Sequence, residues 1–368
     1  MVGMTVGIPK EIKNNENRVG VTPEGVAALV GDGHQVRVEA GAGLGCGCAD
    51  AEYASAGATV TTAAAAWQAD LVIKVKEPLE AEYPYLGGQI VFTYFHLAGV
   101  PRALTEALLA AGTTAVAYET VEDDVGRLPL LAPMSAVAGS MAPIMGSYHL
   151  AKFGGGRGVL PGQILGATHG KVAIIGDGVV GRHAAVVAAA MRTRVLVFGR
   201  HPERAAEVER IAPGIEYVES TERTIAGHLR DTDLLVGGVL ARGARAQRVV
   251  SEAMVQGMPE GSVIVDVSID QGGCVATSRP TSHADPVFTR HGVIHYCVTN
   301  MPGAYPRTST VALTAATLPY ARRLAKDGLA ALSADQGFAR GLNTHRGSIR
   351  YRPVAEALGM EDVYHPWR

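Results

Sequence analysis

Three polar features in the first hundred residues stand where apolar runs end. The segment 13-KNNENRVG-20 follows such a run and carries Arg18; 74-KVKEP-78 closes LVIKV and carries Lys74 and Lys76; His96 closes 89-QIVFTYFH-96. On a strand, Lys74 and Lys76 would face one side at a spacing of two. An ammonium leaving an apolar strand is costly to bury unpaired, and a bound anion is one partner that offsets the cost. Taken singly, each cation reads first as a solvated charge, and His96 equally as a satisfied core histidine or a catalyst. Their shared place at strand ends, where open α/β sheets gather ligands, favours a site.

The second half carries a different kind of chemistry. The segment 172-VAIIGDGVVGRHAAVVAAAM-191 is an apolar run, then G-x-G-x-x-G at Gly176, Gly178 and Gly181, then an Ala/Val-rich helical pattern. Gly176 allows a tight turn, Gly178 lets backbone approach a pyrophosphate, and Gly181 lets helix and strand pack closely. Free N–H groups at the helix start suit phosphates. This pattern predicts a bound dinucleotide. The strand that should end in a ribose-gripping acid is RVLVF, and it ends in Gly199-Arg200-His201. A glycine there removes the carboxylate that would repel a 2′-phosphate, and Arg200, with Arg204 nearby, can pair with that phosphate. The expectation is NADP(H) in preference to NAD(H); the alternative is a pair of solvated charges opening the next helix. Further on, 263-VIVDVSIDQGGC-274 places Asp266 within an apolar strand and Asp270 beyond it, in a Gly-flanked loop. Asp270 could protonate or orient a group beside a nicotinamide, or could simply form an Asx turn before Gly272.

These positions need a scaffold. The chain has 368 residues, more than one ordinary domain requires, and 47% of them are apolar. The strands read 4–9, 35–40, 71–75, 89–95 and 114–119, then 172–176, 194–198, 233–238, 262–267 and 293–298. Helical patterns separate them, one opening at Thr22-Pro23 and stopping at 31-GDG-33, another at 101–112. Strand–helix alternation predicts an α/β protein with two Rossmann-like, doubly wound domains and a cleft between them. A small-residue helix at 134–153 and a Gly-rich loop (154–158, 161–170) join the two, 300–310 loops back, and a helix at 309–325 returns the chain. The expected domains are 1–133 plus 305–368 for substrate and 134–304 for the dinucleotide. The net charge of −2, with no basic stripe, argues against nucleic acid. No signal peptide or membrane-length apolar run is evident, so a cytoplasmic protein is expected. Cys46, Cys48, Cys274 and Cys297 form no zinc pattern and read as reduced thiols, with no metal expected.

The chain resembles the alanine dehydrogenase family, which includes the cofactor-binding subunit of proton-translocating transhydrogenase. The likeness runs through GIPKEIKNNENRVG, DLVIKVKEP, FTYFHLA, LPLLAPMS, GGRGVL, the glycine loop, VDVSIDQGGC, YCVTNMPGAYPRTST and GLNTHRG. The resemblance implies that Arg18 and Lys76 hold a substrate carboxylate, that Lys76 also polarises a keto group, that His96 is the acid/base and that Asp270 lies beside the nicotinamide. It implies substrate contact at Asn300, cofactor contact at Ser135, Gly176, Gly178, Gly181 and Met301, and a hexameric homo-oligomer. The implied reaction is reversible: a small L-amino acid loses hydride to the nicotinamide and its imine is hydrolysed to a 2-oxo acid and ammonia. The chain departs from the pattern at Gly199, at Asp177 in the glycine loop, and at Ala136 and Ser140, where the family has a Glu and an Arg. These departures motivate an alternative, an NADPH-dependent reductase of a specialised imine or keto acid. A non-catalytic NADP(H) sensor is disfavoured by the presence of Arg18, Lys76, His96 and Asp270 together.

Overall fold

The computed structural model describes residues 3–240 and 246–367. Its strands, in chain order, are β1 (Thr5–Ile8), β2 (Gln35–Glu39), β3 (Thr59–Thr61), β4 (Leu71–Ile73), β5 (Ile90–Thr93), β6 (Thr114–Ala117), β7 (Gly162–Ile164), β8 (Ala167–His169), β9 (Lys171–Ile175), β10 (Arg194–Gly199), β11 (Ile215–Glu219), β12 (Leu234–Gly237), β13 (Val263–Asp266), β14 (Val287–Arg290), β15 (Val293–Tyr296), β16 (Leu342–His345) and β17 (Ser348–Ile349). The chain forms two compact units, one of Met1–Met134 with Tyr305–Arg368, the other of Ser135–Ala304.

In the first unit the sheet order is β17-β16-β6-β5-β4-β1-β2-β3. Strands β1 to β6 run parallel, and β16 adds antiparallel to β6. The carboxyl ends of β1, β4, β5 and β6 therefore lie along one edge. The helix Pro23–Gly31 starts as its sequence predicts: Thr22 Oγ1 accepts from Gly25 N at 3.3 Å, and Pro23 occupies the first turn.

In the second unit the order is β11-β10-β9-β12-β13-β15-β14, parallel except for β14. Alternate residues feed two cores. Val172, Ile174, Val195, Val197, Leu234 and Val236 enter one; Ala173, Ile175, Leu196, Phe198 and Leu235 enter the other. Burial on both faces explains why these strands read as unbroken apolar runs. The connections from β9 leave to opposite sides of it, which creates the switch point where such sheets take ligands.

The structure differs from the sequence reading in several places. The stretch 161–170 is a hairpin of β7 and β8 rather than a loop, turned by Leu165 and Gly166, both at positive φ (47° and 89°). The stretch from Pro306 is the first turn of the helix Pro306–Asp327, not loop. Strands β3, β11, β14, β16 and β17 also go beyond the strands read from sequence. Among the described residues no helix is long and apolar enough to cross a membrane.

Candidate functional site

The first unit gathers Arg18, Lys76 and His96 on the edge formed by β1, β4 and β5. Arg18 lies in the loop after β1 and is buried. Its Nε donates to Glu16 Oε1 at 2.7 Å and its Nη2 to Oε2 at 2.5 Å, while Nη1 meets Met134 Sδ at 3.0 Å. Burial works against the guanidinium charge, and the Glu16 pair outweighs it, leaving the pKa raised. The arginine is thus aimed by a carboxylate rather than offered as a bare cation.

Lys74 and Lys76 both lie beyond β4, which ends at Ile73, so the strand pleat does not extend to them. Lys74 is fully buried, and its Nζ donates to Glu82 Oε1 at 2.8 Å and Glu11 Oε2 at 3.1 Å. Burial opposes its charge, but the two carboxylates outweigh it and hold the pKa above the ordinary lysine value. Its partners are therefore internal carboxylates, not a bound anion. Lys76 remains accessible, with 12% of its side chain exposed and Glu77 Oε2 at 4.0 Å. Burial would raise Glu77, yet Lys76 and Lys13 hold it below the usual carboxylate range. Glu11 also accepts from the backbone N–H of Val75 (2.6 Å) and Lys76 (3.2 Å), so one carboxylate fixes the turn that presents Lys76.

His96 is exposed and sits at φ 49°, in the left-handed region. Its N–H donates to Glu119 Oε1 at 2.6 Å, and Phe95 N donates to Oε2 at 3.3 Å. The ring stacks on Tyr94 at 5.7 Å between centroids, and Tyr94 Oη is tied to Leu130 O at 2.5 Å. Backbone and ring are both held, with Nδ1 3.9 Å from Glu119 Oε1, and the side chain is 41% exposed.

The second unit supplies the dinucleotide features. Each glycine of the loop has its own geometric reason. Gly176 has φ 107°, and a Cβ there would meet Gly238 O at 2.5 Å; a Cβ on Gly181 would meet Gly176 O at 1.8 Å; Gly178 has nothing within 4 Å of its Cβ position. Gly178 caps the helix Val179–Ala190 without any side-chain acceptor. An open, uncapped helix start beside a turn that only glycine can make is a cradle that fits a pyrophosphate. Ser135 is half-buried in the helix Ala132–His149. That helix approaches the glycine-loop helix closely, since a Cβ at Gly139 would lie 2.3 Å from Val180 O.

Gly199 is buried at the end of β10, and Arg200 beyond it is exposed. The space at Gly199 is filled: a Cβ would come within 2.2 Å of Tyr217 Oη, which accepts from His201 N at 3.0 Å. Asp270 is exposed, and its Oδ1 accepts from Asn300 N at 3.4 Å. Asn300 adopts φ 59°. Met301 is buried in the core, 3% exposed.

Sequence reasoning placed Asp266 in its strand but gave it no role. Asp266 stabilises the Asp270 loop: it accepts from Ser268 N at 3.1 Å, Cys274 N at 3.0 Å and Val275 N at 3.1 Å. Burial raises its pKa despite these donors. Glu11, Glu16, Glu119 and Tyr217, which hold the other groups, were not singled out. Glu119 carried a signal, because it ends the run TAVAYE beside the run that ends in His96.

Comparison with known proteins agrees with this geometry. A family model described as alanine dehydrogenase/PNT, N-terminal domain, matches residues 7–138, and its C-terminal counterpart matches 142–352. Alanine dehydrogenase of Staphylococcus haemolyticus (strain JCSC1435) is 48% identical over 363 residues, 97% of each chain. Alanine dehydrogenase 2 of Staphylococcus aureus (strain USA300) is 47% identical over the same length and coverage. A solved L-alanine dehydrogenase superposes with a TM-score of 0.93 at 46% identity, covering 97% of this chain and 99% of that one. A transhydrogenase from Sinorhizobium meliloti reaches 0.81 at 26% identity, covering 94% and 99%. With matches across both units, the chain belongs to the alanine dehydrogenase/PNT family, whose cofactor is a nicotinamide dinucleotide.

Proposed function

We propose that this protein catalyses the reversible oxidative deamination of L-alanine, or a close relative, to the 2-oxo acid and ammonia. The observation that carries this reading is the grouping of Arg18, Lys76 and His96 at the ends of adjacent parallel strands, in a chain similar end to end to proteins named alanine dehydrogenase. The relatives favour it over a specialised imine or keto-acid reductase. When bound, the nicotinamide accepts hydride from C2 of the amino acid. Arg18 and Lys76 hold the substrate carboxylate, and Lys76 polarises the oxygen at C2 in the reverse direction. His96 removes the proton from the amine or from the water that adds to C2, and returns it in reverse. Asp270, on the loop that Asp266 fixes, is the residue proposed to lie beside the nicotinamide. Water supplies the oxo oxygen, and ammonium leaves with the nitrogen. The test is cofactor oxidation with pyruvate and ammonium, and with other 2-oxo acids. Turnover with pyruvate is expected; no turnover with any of them overturns the proposal.

NADP(H) is the proposed preferred cofactor, because no carboxylate stands at position 199 and Arg200 and Arg204 follow it. Charge-assisted hydrogen bonds give a preference on the order of 2 kcal/mol. Equal or tighter NAD(H) binding by titration overturns it. We propose further a cytoplasmic homo-oligomer, hexameric as in the family, that binds a small molecule, no nucleic acid and no membrane. Light scattering of the purified protein tests the assembly, and a monomeric mass overturns it.

A further inference from the structure

One residue of the glycine loop is left without a task by the reading above. Asp177 stands between Gly176 and Gly178, and its side chain is 12% exposed. Its Oδ2 is buried and accepts no hydrogen bond from the described residues. Among the described residues, the cation within 4 Å of it is Arg204, whose Nη1 lies 3.9 Å away, beyond hydrogen-bonding reach. Burial of a carboxylate oxygen without a donor is costly, and a ligand that brings a donor removes the cost.

The place of this carboxylate gives the donor its identity. Strands β9 and β10 pair in parallel, with Phe198 beside Ile175, so the loop after β9 lies next to the end of β10. Gly199 cannot bear an acid there unless the Tyr217 ring moves, because that ring occupies the Cβ position. Burial raises the Tyr217 pKa, the hydrogen bond from His201 lowers it by less, and the charge of Asp177 adds to the rise. Asp177, Tyr217, Gly199 and Arg204 thus cluster where the adenine ribose meets the second strand of a dinucleotide fold. A ribose 2′-hydroxyl brings an O–H for the Asp177 carboxylate, which is 12% exposed. A 2′-phosphate brings negative charge and no such donor.

We propose that Asp177 is a specificity-determining residue that accepts the adenine-ribose hydroxyl from the loop side, in place of the acid missing at position 199. This deepens the cofactor reading above and rests on a nicotinamide dinucleotide binding here. Arg200 and Arg204 draw the preference toward a 2′-phosphate, and Asp177 draws it back, keeping NAD(H) usable.

The experiment is fluorescence titration of the intact protein and of Asp177→Ala and Asp177→Asn with NADPH and NADH. Competition by AMP and by adenosine 2′,5′-bisphosphate reports the ribose subsite alone. In Asp177→Ala the NADPH-to-NADH affinity ratio should rise about tenfold or more, the scale of a charge-assisted hydrogen bond lost on one side and a repulsion removed on the other. Asp177→Asn, nearly equal in size, should raise the ratio while weakening NADH less. The bisphosphate should gain against AMP in the same order. An unchanged ratio in both variants, including equal weakening of both cofactors, overturns the proposal and assigns Asp177 to loop structure. A wild-type protein that prefers NADH overturns the NADP(H) reading alone; a raised ratio in the variants still supports Asp177.

Discussion

The two units share a strand order and differ in what they place at its edge. Each has a parallel sheet whose first strand is flanked by the second on one side and the fourth on the other. In the first unit that edge is ionic. Arg18 is fixed by Glu16, Lys74 by Glu11 and Glu82, Lys76 is set by Glu11 through its backbone, and His96 by Glu119. In the second unit the corresponding edge is made of glycine and backbone amides, with the Asp266 carboxylate serving as a loop clamp. The shared topology sets where a ligand goes; the residues after each strand set what kind it is. One edge offers paired, aimed charges to a small substrate, and the other offers N–H groups to phosphates.

This contrast can be broken by testing each edge separately. His96→Ala should lower kcat by on the order of 10³-fold while leaving cofactor titration unchanged, as expected for a lost acid/base group. A parallel loss of cofactor affinity would mean that the two edges do not divide the work. Next in size, Lys74→Met should destabilise the first unit by about 4 kcal/mol in urea unfolding, because Glu11 and Glu82 lose their buried partner. A change under about 1 kcal/mol would show that the network is not a structural clamp.

The second unit carries its own titration. His295 is fully buried, donates from Nδ1 to Val293 O at 2.9 Å and accepts at Nε2 from Thr277 Oγ1 at 2.7 Å. The carbonyl can only accept, which fixes this neutral tautomer. Burial lowers its pKa to about 4 from 6.5. The unfolded chain therefore binds the extra proton first, so this contribution to stability is complete above about pH 6.5 and falls as pH drops toward 4, by about 3 kcal/mol in all. Urea unfolding of the His295→Gln variant should show a shallower acid slope; an identical slope would remove His295 as the cause. Smallest in size, Arg200→Ala should weaken NADPH about tenfold and leave NADH unchanged. Equal weakening of both would separate Arg200 from the 2′-phosphate.

Much of the fold was legible because fully buried parallel strands have no polar face, and their apolar runs stand out in β9, β10, β12 and β13. The missed strands lack that mark. In β11, IEYVE puts charge on an outer strand. In β16, LNTH is polar yet wholly buried, its Asn343 Nδ2 donating to Gly341 O and Thr344 Oγ1 donating to Thr113 O. The residue types of the candidate site were equally legible, since Arg, Lys and His at strand ends are conspicuous. Their supports were not. Glu16, Glu11 and Glu119 look like ordinary surface acids until folding brings each against a backbone amide or a cation. Lys74 shows the converse: it looked like a ligand-binding cation and is a buried structural one.

The interlock of Gly199 with Tyr217 also bears on the history open to this chain. A single change from glycine to aspartate at 199 drives a new side chain into a phenol that already holds His201 N. Mutations at the two positions are therefore order-dependent: shrinking Tyr217 opens the path and the acid follows. With glycine and tyrosine both in place, an acid at 199 lies two coordinated substitutions away.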